Sequence, residues 1–315
     1  MRRLLNAGLL VFAVLYAASF ALLARDPEFS AGDTLFELIL FGLIFPGLAW
    51  LTTLRSQKLE TRSERSAAEL LLVVALLLGL GVYLINGPQA IDSLLPATWT
   101  ASPQPHFVVI LVKKLIVFVI IPFLLFRLFF RYRWRDFGVQ WAGLRELGRS
   151  HLLCCVALCA AMLLFQYFMG GAAKPVRDGK FTATQLSIAL PLCFVWLAIE
   201  AGFVEEFFFR ALVQSRFASW FRSEISGVAL MAIAFGLAHA PGLIFRQAGE
   251  VEGLGAHPGA LQAMAYTIVT MAPAALTFGI VWARTRNLFA VIIIHAATDL
   301  FPNVSAFVET WRIGQ

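Results

Sequence analysis

Residues 70–85 read LLLVVALLLGLGVYLI, a run without a single charged side chain. A run of this length and polarity approaches the roughly 20 residues with which a helix crosses the hydrocarbon core of a bilayer. Comparable runs recur along the chain, which is 60% apolar and only 14% charged. Soluble domains carry about 25% charged residues. Because so few polar groups cannot cover so much apolar surface, we predict a membrane protein.

Nine apolar segments are candidates for membrane spans, and the absence of an alternating apolar and polar pattern favours helices over strands. They are Leu4–Ala24, Leu35–Leu54, Leu70–Ile85, Phe107–Phe126, Leu152–Met169, Thr184–Phe203, Ser226–His239, Gly259–Trp282 and Leu288–Phe301. We therefore predict an all-α, polytopic transmembrane helix bundle of about eight or nine spans. We divide the chain by the position of the motifs described below. Residues 1–180 form an N-terminal transmembrane region of unknown role, and residues 181–315 form the core that contains the candidate site residues.

Basic residues between the apolar segments predict the orientation of the chain. With the N-terminus and its Arg2 and Arg3 in the cytoplasm, seventeen basic residues fall in inside segments and six in outside segments. Because Lys and Arg accumulate in cytoplasmic loops, this distribution favours a cytoplasmic N-terminus. The same topological use accounts for the net charge of +6, so we expect no nucleic-acid partner.

Lys113 and Lys114 fall within the fourth apolar segment. We expect both ammonium groups to extend along the helix to the outer interface of the membrane, because long basic side chains bury their stems and keep their charges in water. A role in lining a cavity is the less favoured alternative. The four cysteines lack the spacing of a metal or disulfide site and are interpreted as small packing residues; they are Cys154, Cys155, Cys159 and Cys193.

Ionisable residues at membrane depth are costly and mark functional sites by default. The richest stretch holds Glu205 and Glu206 side by side, with Arg210 four residues after the second glutamate. On a helix, Glu206 and Arg210 share a face and can form an ion pair. Glu205 lies about 100° further round the helix. We infer that one carboxylate is neutralised structurally and that the other is available for chemistry.

Two further pairs of residues at helical spacing lie in the later spans. His239 follows Phe235 by four residues, and Asp299 follows His295 by four. Counting about 1.5 Å per residue from the predicted cytoplasmic turns places Glu205, His239, His295 and Asp299 roughly 12–24 Å from those turns. Three helices therefore bring four ionisable groups to one layer, which predicts a shared polar chamber inside the membrane.

This set of groups suggests hydrolysis within the bilayer. A carboxylate beside a histidine can hold a water molecule and remove its proton, and a second histidine can stabilise the oxyanion that forms on an attacked carbonyl. No Ser or Cys is placed as a nucleophile in these segments. The same groups offer an alternative, since Glu205, His239 and His295 are also residue types that bind zinc, although no His-Glu-x-x-His motif occurs.

The three motifs, Glu-Glu-Phe-Phe-Phe-Arg at 205–210, Phe235–His239 and His295–Asp299, each lie in a separate apolar helix. Together they resemble the CAAX-protease and bacteriocin-processing family, a glutamic-type group of intramembrane proteases that includes the Rce1-like prenyl-protein endopeptidases. The resemblance covers about Thr184–Pro302. It implies a metal-free mechanism without a cofactor, with zinc dependence as the alternative.

The resemblance also implies a role for each matching residue. Glu205 is the general base and His239 helps to hold the water, while Glu206 and Arg210 form a structural pair that Phe235 supports. His295 helps to form the oxyanion site, with Asp299 beside it. An ionised Asp cannot donate a hydrogen bond to an oxyanion as an Asn can, so either Asp299 is protonated or it orients His295. Glu200 either lines the chamber or packs against the arginine-rich inner surface.

We therefore predict an intramembrane endopeptidase that hydrolyses a peptide bond of membrane-anchored or lipidated proteins. Its partners are these substrates and the lipid bilayer, and a bacterial inner membrane is favoured by the arginine content and the breadth of the family. Two alternatives belong to other classes. One is a proton-coupled transporter with a Glu/His relay, which would ordinarily show inverted repeats that this chain lacks. The other is a non-catalytic scaffold or immunity protein of the same fold.

Overall fold

The computed structural model describes residues 7–139, 149–244, 254 and 258–314, and helices are the only regular secondary structure in these ranges. The nine long helices are α1 (Ala7–Leu23), α2 (Ala31–Thr52), α3 (Ala67–Asp92), α4 (Pro103–Phe130), α5 (Ser150–Met169), α6 (Ala183–Phe221), α7 (Glu224–Ile244), α8 (Ala260–Thr285) and α9 (Leu288–Trp311). Eight of them, α2 to α9, are long and apolar enough to cross a membrane, and α1 is apolar but shorter. The predicted all-α polytopic bundle is confirmed. Leu4, Arg2 and Arg3, together with Arg145 and Arg246, lie outside the described residues.

The last three helices form the centre of the bundle. More than half of the most apolar stretch of α7, α8 and α9 is buried within the protein, against a third or less in α2 to α6. The outer helices present large apolar side chains at the surface, among them Leu71, Leu78 and Leu128. Such exposed apolar surface requires a lipid environment. The bundle therefore surrounds its most buried helices with helices that face lipid.

Helix α6 is longer than the sequence predicted. The predicted span ended at Phe203, whereas α6 continues for eighteen more residues to Phe221. Two π-helical segments, Ala198–Phe203 and Phe207–Gln214, flank the single α-helical turn that carries the adjacent glutamates. The boundary was wrong because charged residues were read as the end of the apolar run. Wide π-helical turns occur preferentially at functional sites.

Two glycines allow the helices around the charged residues to approach closely. A Cβ atom at Gly202 of α6 would lie 3.0 Å from the carbonyl oxygen of Ile292 on α9. A Cβ atom at Gly236 of α7 would lie 2.8 Å from the carbonyl oxygen of Thr267 on α8. Small residues at helix contacts let backbones pack tightly in membranes. Gly202 precedes Glu205 by three residues, and Gly236 precedes His239 by three. Close helix packing therefore fixes the backbone next to both predicted site residues.

A buried ionic network joins α3, α6 and the segment after α4. The Arg216 Nε donates to Glu69 Oε2 at 3.2 Å, and the Tyr132 hydroxyl donates to the same carboxylate at 3.0 Å. Burial raises the pKa of Tyr132 to about 12, which keeps that hydroxyl protonated. The guanidinium also lies over the rings of Phe126, Tyr132 and Phe137. The count of inside basic residues also included Arg210 and Arg216; in the structure both lie within α6 and are buried.

Candidate active site

The ion pair predicted between Glu206 and Arg210 is present in α6. Arg210 Nη1 lies 2.9 Å from Glu206 Oε1, and neither side chain is exposed. The guanidinium also faces two aromatic rings, with its central carbon 4.5 Å from the centroid of Phe235 and 5.1 Å from that of Phe278. Cations are attracted to ring faces, most strongly when they are desolvated. One carboxylate and two aromatic rings thus hold a fully buried arginine.

His295 of α9 lies at the centre of the carboxylates. Its Nδ1 atom donates to Glu206 Oε1 at 2.5 Å, and its Nε2 atom lies 3.3 Å from Asp299 Oδ2 and 3.9 Å from Glu205 Oε2. Phe278 stacks on the imidazole with ring centroids 5.1 Å apart. The sequence predicted Glu206 as the partner of Arg210, and in the structure it also fixes the orientation of His295.

Glu205 faces a lysine that the sequence placed elsewhere. The Lys114 ammonium of α4 lies 2.6 Å from Glu200 Oε1 and 3.4 Å from Glu205 Oε1. The prediction that both adjacent lysines extend to the interface is therefore wrong for Lys114, because it pairs with two largely buried carboxylates. Lys113 forms an ion pair with Asp92 at the end of α3 instead. Of the two roles considered for Glu200, the structure favours lining the chamber.

His239 approaches this cluster from α7. Its Nδ1 atom lies 2.8 Å from the carbonyl oxygen of Phe235, one turn earlier on the same helix. A carbonyl oxygen only accepts hydrogen bonds, so Nδ1 carries a proton, and in the neutral ring Nε2 is left with a free lone pair. The His239 and Phe235 rings are also in contact, with centroids 4.6 Å apart. The Phe235 ring also lies near His295, with ring centroids 6.4 Å apart, so this end of α7 faces the cluster. The predicted motif residues therefore converge on one layer.

The residues of the alternative zinc site have other partners in the structure. In the part of the chain that the structure describes, no three His, Cys, Asp or Glu side chains are arranged to bind a metal ion. Of the proposed ligands Glu205, His239 and His295, the two histidines each use Nδ1 in a hydrogen bond, and His295 Nε2 faces a carboxylate. His239 Nε2 keeps its lone pair, and a histidine that donates from Nδ1 can still bind a metal ion through Nε2, so zinc dependence stays an alternative prediction.

Two residues of the cluster were missed by the sequence analysis. Lys114 carried a usable signal, since a charge inside an apolar span marks a site, but its position near one end of the span favoured the interface. Phe278 carried no signal, because one aromatic residue in an apolar helix is ordinary core composition. Its contact with His295 and Arg210 depends on how α8 packs, which a single sequence does not specify.

We expect Glu206→Gln to destabilise the folded protein. The substitution keeps the size of the side chain but leaves the buried Arg210 cation without a charged partner, and breaking a buried ion pair costs about 3–5 kcal/mol. Thermal unfolding of the purified protein in detergent measures the change. Glu309→Gln is the matched control, because Glu309 pairs with Lys180 at the surface and is 59% exposed. Equal unfolding temperatures for the two variants would contradict a structural role for the Glu206 pair.

The fold and the site together define a polytopic helical membrane protein with a buried cluster of ionisable groups from α4, α6, α7 and α9. Residues 187–301 match the family model described as Rce1-like, type II CAAX prenyl endopeptidase Rce1-like. The match runs from α6 to α9, covers a little over a third of the chain and contains all three motifs, which confirms the resemblance over this segment. Lys114 lies outside it. No curated protein and no solved structure matches the chain.

Proposed function

We propose that this protein is an intramembrane endopeptidase that hydrolyses a peptide bond of membrane-anchored or lipidated proteins. The observation that carries the proposal is the convergence of Glu205, His239 and a firmly held His295 on one layer of an apolar bundle, in a segment that matches an endopeptidase family. General-base hydrolysis needs a carboxylate, a water-binding partner and an oxyanion donor at such close quarters.

Glu205 is the general base of the proposed reaction. His239 Nε2, left as an acceptor by the bond from Nδ1 to Phe235, accepts one hydrogen of the attacking water. The Glu205 carboxylate removes the other proton as the water oxygen attacks the peptide carbonyl, and then delivers that proton to the leaving amine. The products are a new amine and a new carboxylic acid, which keeps the second proton of the water until it ionises.

His295 stabilises the negative charge that develops on the carbonyl oxygen. Its Nδ1–H bond to Glu206 holds the ring, so Nε2 is directed toward Glu205 and Asp299. An imidazolium at this position has an Nε2–H to offer an oxyanion. The distance of 3.3 Å between Asp299 and His295 favours orientation of the ring over direct donation by Asp299. No step of this mechanism passes through a metal ion.

Lys114 is a positioning residue in this scheme. It lies between Glu200 and Glu205, so its charge offsets the repulsion between two buried carboxylates and fixes the direction of the Glu205 side chain. Like charges at such distances repel strongly in a medium of low dielectric constant. Lys114 belongs to the N-terminal region and lies outside the segment that matches the family model. In this scheme the N-terminal region therefore contributes a residue to the site.

The proposed enzyme is a multi-pass protein of the bacterial inner membrane with its N-terminus in the cytoplasm. The lipid-facing outer helices support a substrate that enters from the bilayer, and anchored or lipidated proteins reach a buried site by diffusion in that plane. Further partners are not needed for the reaction, because the described residues supply the base, the water-binding group and the oxyanion donor.

Comparing protein termini tests the proposal directly. Membranes from cells that make the protein should contain N- and C-termini that are lacking in membranes from matched cells without it, because each hydrolysed bond creates one of each. Quantitative mass spectrometry of the enriched termini measures the difference and shows the substrate at the same time.

Identical termini in the two membranes would reject the endopeptidase. The connected series of ionisable side chains from Lys114 through Glu205 to His295 and Asp299 would then favour the proton-coupled transporter, since such series conduct protons in membranes. Proton flux into proteoliposomes separates that alternative from a scaffold or immunity protein, which would give neither new termini nor flux.

A further inference from the structure

A cavity of about 160 Å³ lies between α4, α6 and α9, beside the cluster of ionisable groups. Its walls include three aromatic side chains, Phe107 of α4, Trp196 of α6 and Phe307 of α9. The rings of Phe107 and Trp196 are in contact, with centroids 5.9 Å apart. None of the roles proposed above uses these residues. The cavity is therefore a separate feature of the same part of the bundle.

Two polar residues connect this cavity with the proposed site. Glu200 lines the cavity and also forms the 2.6 Å ion pair with Lys114, which in turn contacts Glu205. Asn303 lines the cavity as well, and its amide donates to the carbonyl oxygen of Asp299 at 2.9 Å. The cavity thus opens next to the groups that act on the substrate, and Glu200 and the amide nitrogen of Asn303 already have partners.

The helices give the separation between the aromatic walls and the site. Phe107 precedes Lys114 by seven residues on α4, and Phe307 follows Asp299 by eight residues on α9. At about 1.5 Å per residue, both aromatic rings lie roughly 10–12 Å along the bundle from the ionisable cluster. An extended peptide advances about 3.3 Å per residue. The cavity is thus within about four residues of a peptide bond held at Glu205.

The size and the lining of the cavity limit what it can hold. An apolar cavity of about 150 Å³ holds a molecule of the size of benzene, whereas a pocket for a larger ligand needs about 300 Å³ or more. A complete lipid chain is therefore too large for it. Aromatic walls favour apolar and aromatic groups, and Glu200 is already paired with Lys114.

We propose that this cavity is a specificity subsite, which binds one branched or aromatic apolar side chain of the substrate within about four residues of the cleaved bond. The proposal rests on the endopeptidase function and deepens it, because it states which substrates the site selects. Trp196 and Phe307 then contribute to substrate recognition and not to the chemical step. Glu200 lies between the cavity and the ionisable cluster.

A peptide series tests the subsite. A cleaved sequence from the comparison of termini is resynthesised with one residue, at each of the four positions on either side of the bond, replaced by Ala, Val, Leu, Phe or Trp. Cleavage by the full-length protein in liposomes gives kcat/KM for every peptide. At one position we expect Leu or Phe to exceed Ala by about tenfold or more, since a pocket discriminates by roughly 10- to 200-fold per methylene.

Two substitutions should move this preference in opposite directions. Trp196→Ala enlarges the cavity and should shift the optimum to Trp, whereas Ile110→Phe fills part of it and should shift the optimum to Ala or Val. Leu192→Ala is the control, because Leu192 lies on the same helix as Trp196 and is 52% exposed. Ratios between peptides are compared within each variant, so a lower fraction of folded protein cancels.

The outcomes separate the two levels of the proposal. A wild-type protein that cleaves none of the peptides, and leaves termini in membranes unchanged, overturns the endopeptidase function and the subsite together. Cleavage with the same ratios in the wild type, Trp196→Ala and Ile110→Phe overturns the subsite alone and identifies the cavity as lipid-filled packing space. Opposite shifts of the optimum at a single position establish the subsite.

Discussion

Glu205→Gln is expected to abolish the new protein termini while leaving the protein folded in the membrane. Glutamine keeps the shape of glutamate but cannot accept the proton of the attacking water, and general-base catalysis contributes about 10²- to 10⁴-fold to a rate. The side chain contacts Lys114 and lies near His295 but is outside the Glu206–Arg210 pair, so the loss should appear in kcat and not in stability. Rates of peptide cleavage and unfolding temperatures of the same preparations measure both quantities.

The matched control for this experiment is Glu309→Gln, the same chemical change on an exposed residue of α9. It should retain wild-type activity, because an exposed ion pair contributes little to stability. Cleavage at the wild-type rate by Glu205→Gln would reject Glu205 as the base. Loss of activity together with an equal loss of folded protein would assign Glu205 to structure instead.

The sequence predicted the helical bundle correctly because the physical constraint is severe. A chain with so few charges and such long apolar runs can only satisfy its backbone in lipid as helices. The convergence of Glu205, His239, His295 and Asp299 was also predictable, since counting residues from a turn gives depth in a straight helix. Residue spacing and hydropathy therefore sufficed for the fold class and for the side chains that lie on these helices.

Lys114 was not predicted as the partner of Glu205, although its depth in the membrane can be counted in the same way. Lys114 lies sixteen residues before the end of α4 at Phe130, and Glu205 lies sixteen residues before the end of α6 at Phe221. At equal rise per residue, the two side chains lie in the same layer. The sequence does not show which helices are neighbours, however, so nothing indicated that α4 and α6 lie side by side.

The arginines of α6 show a second limit of the sequence. Arg216 looked like a loop charge because it lies close to a turn, whereas Glu69 and three aromatic rings bury it. Its partners come from α3, from the end of α4 and from the segment after α4, at least 79 residues away along the chain. Local composition cannot distinguish an arginine paired over such a separation from one that faces water.

The adjacent lysines of α4 provide the sharpest test of the proposed positioning role. We expect Lys114→Met to lower kcat by about 10- to 100-fold, because residues in direct contact couple by about 0.5–3 kcal/mol and methionine leaves Glu200 and Glu205 without their shared cation. Lys113→Met is the matched control, since Lys113 is the adjacent residue of α4, is more buried than Lys114 and pairs with Asp92 instead. It should leave kcat of the folded protein close to the wild-type value. Rates per folded molecule, determined in liposomes, measure the difference between the two variants.

The double variant Lys114→Met with Glu200→Gln separates a positioning role from a merely structural one. It removes one cation and one anion together, so Glu205 no longer lies beside a second uncompensated carboxylate, and we expect kcat to recover by about tenfold relative to Lys114→Met alone. Repair of a merely structural defect would raise the amount of folded protein but not the rate per folded molecule, so kcat per folded molecule distinguishes the two roles. Equal losses of kcat in Lys113→Met and Lys114→Met, or a double variant no better than Lys114→Met, would contradict the role of Lys114. Recovery of kcat would instead show that Lys114, a residue of the N-terminal helices, balances the negative charge around Glu205.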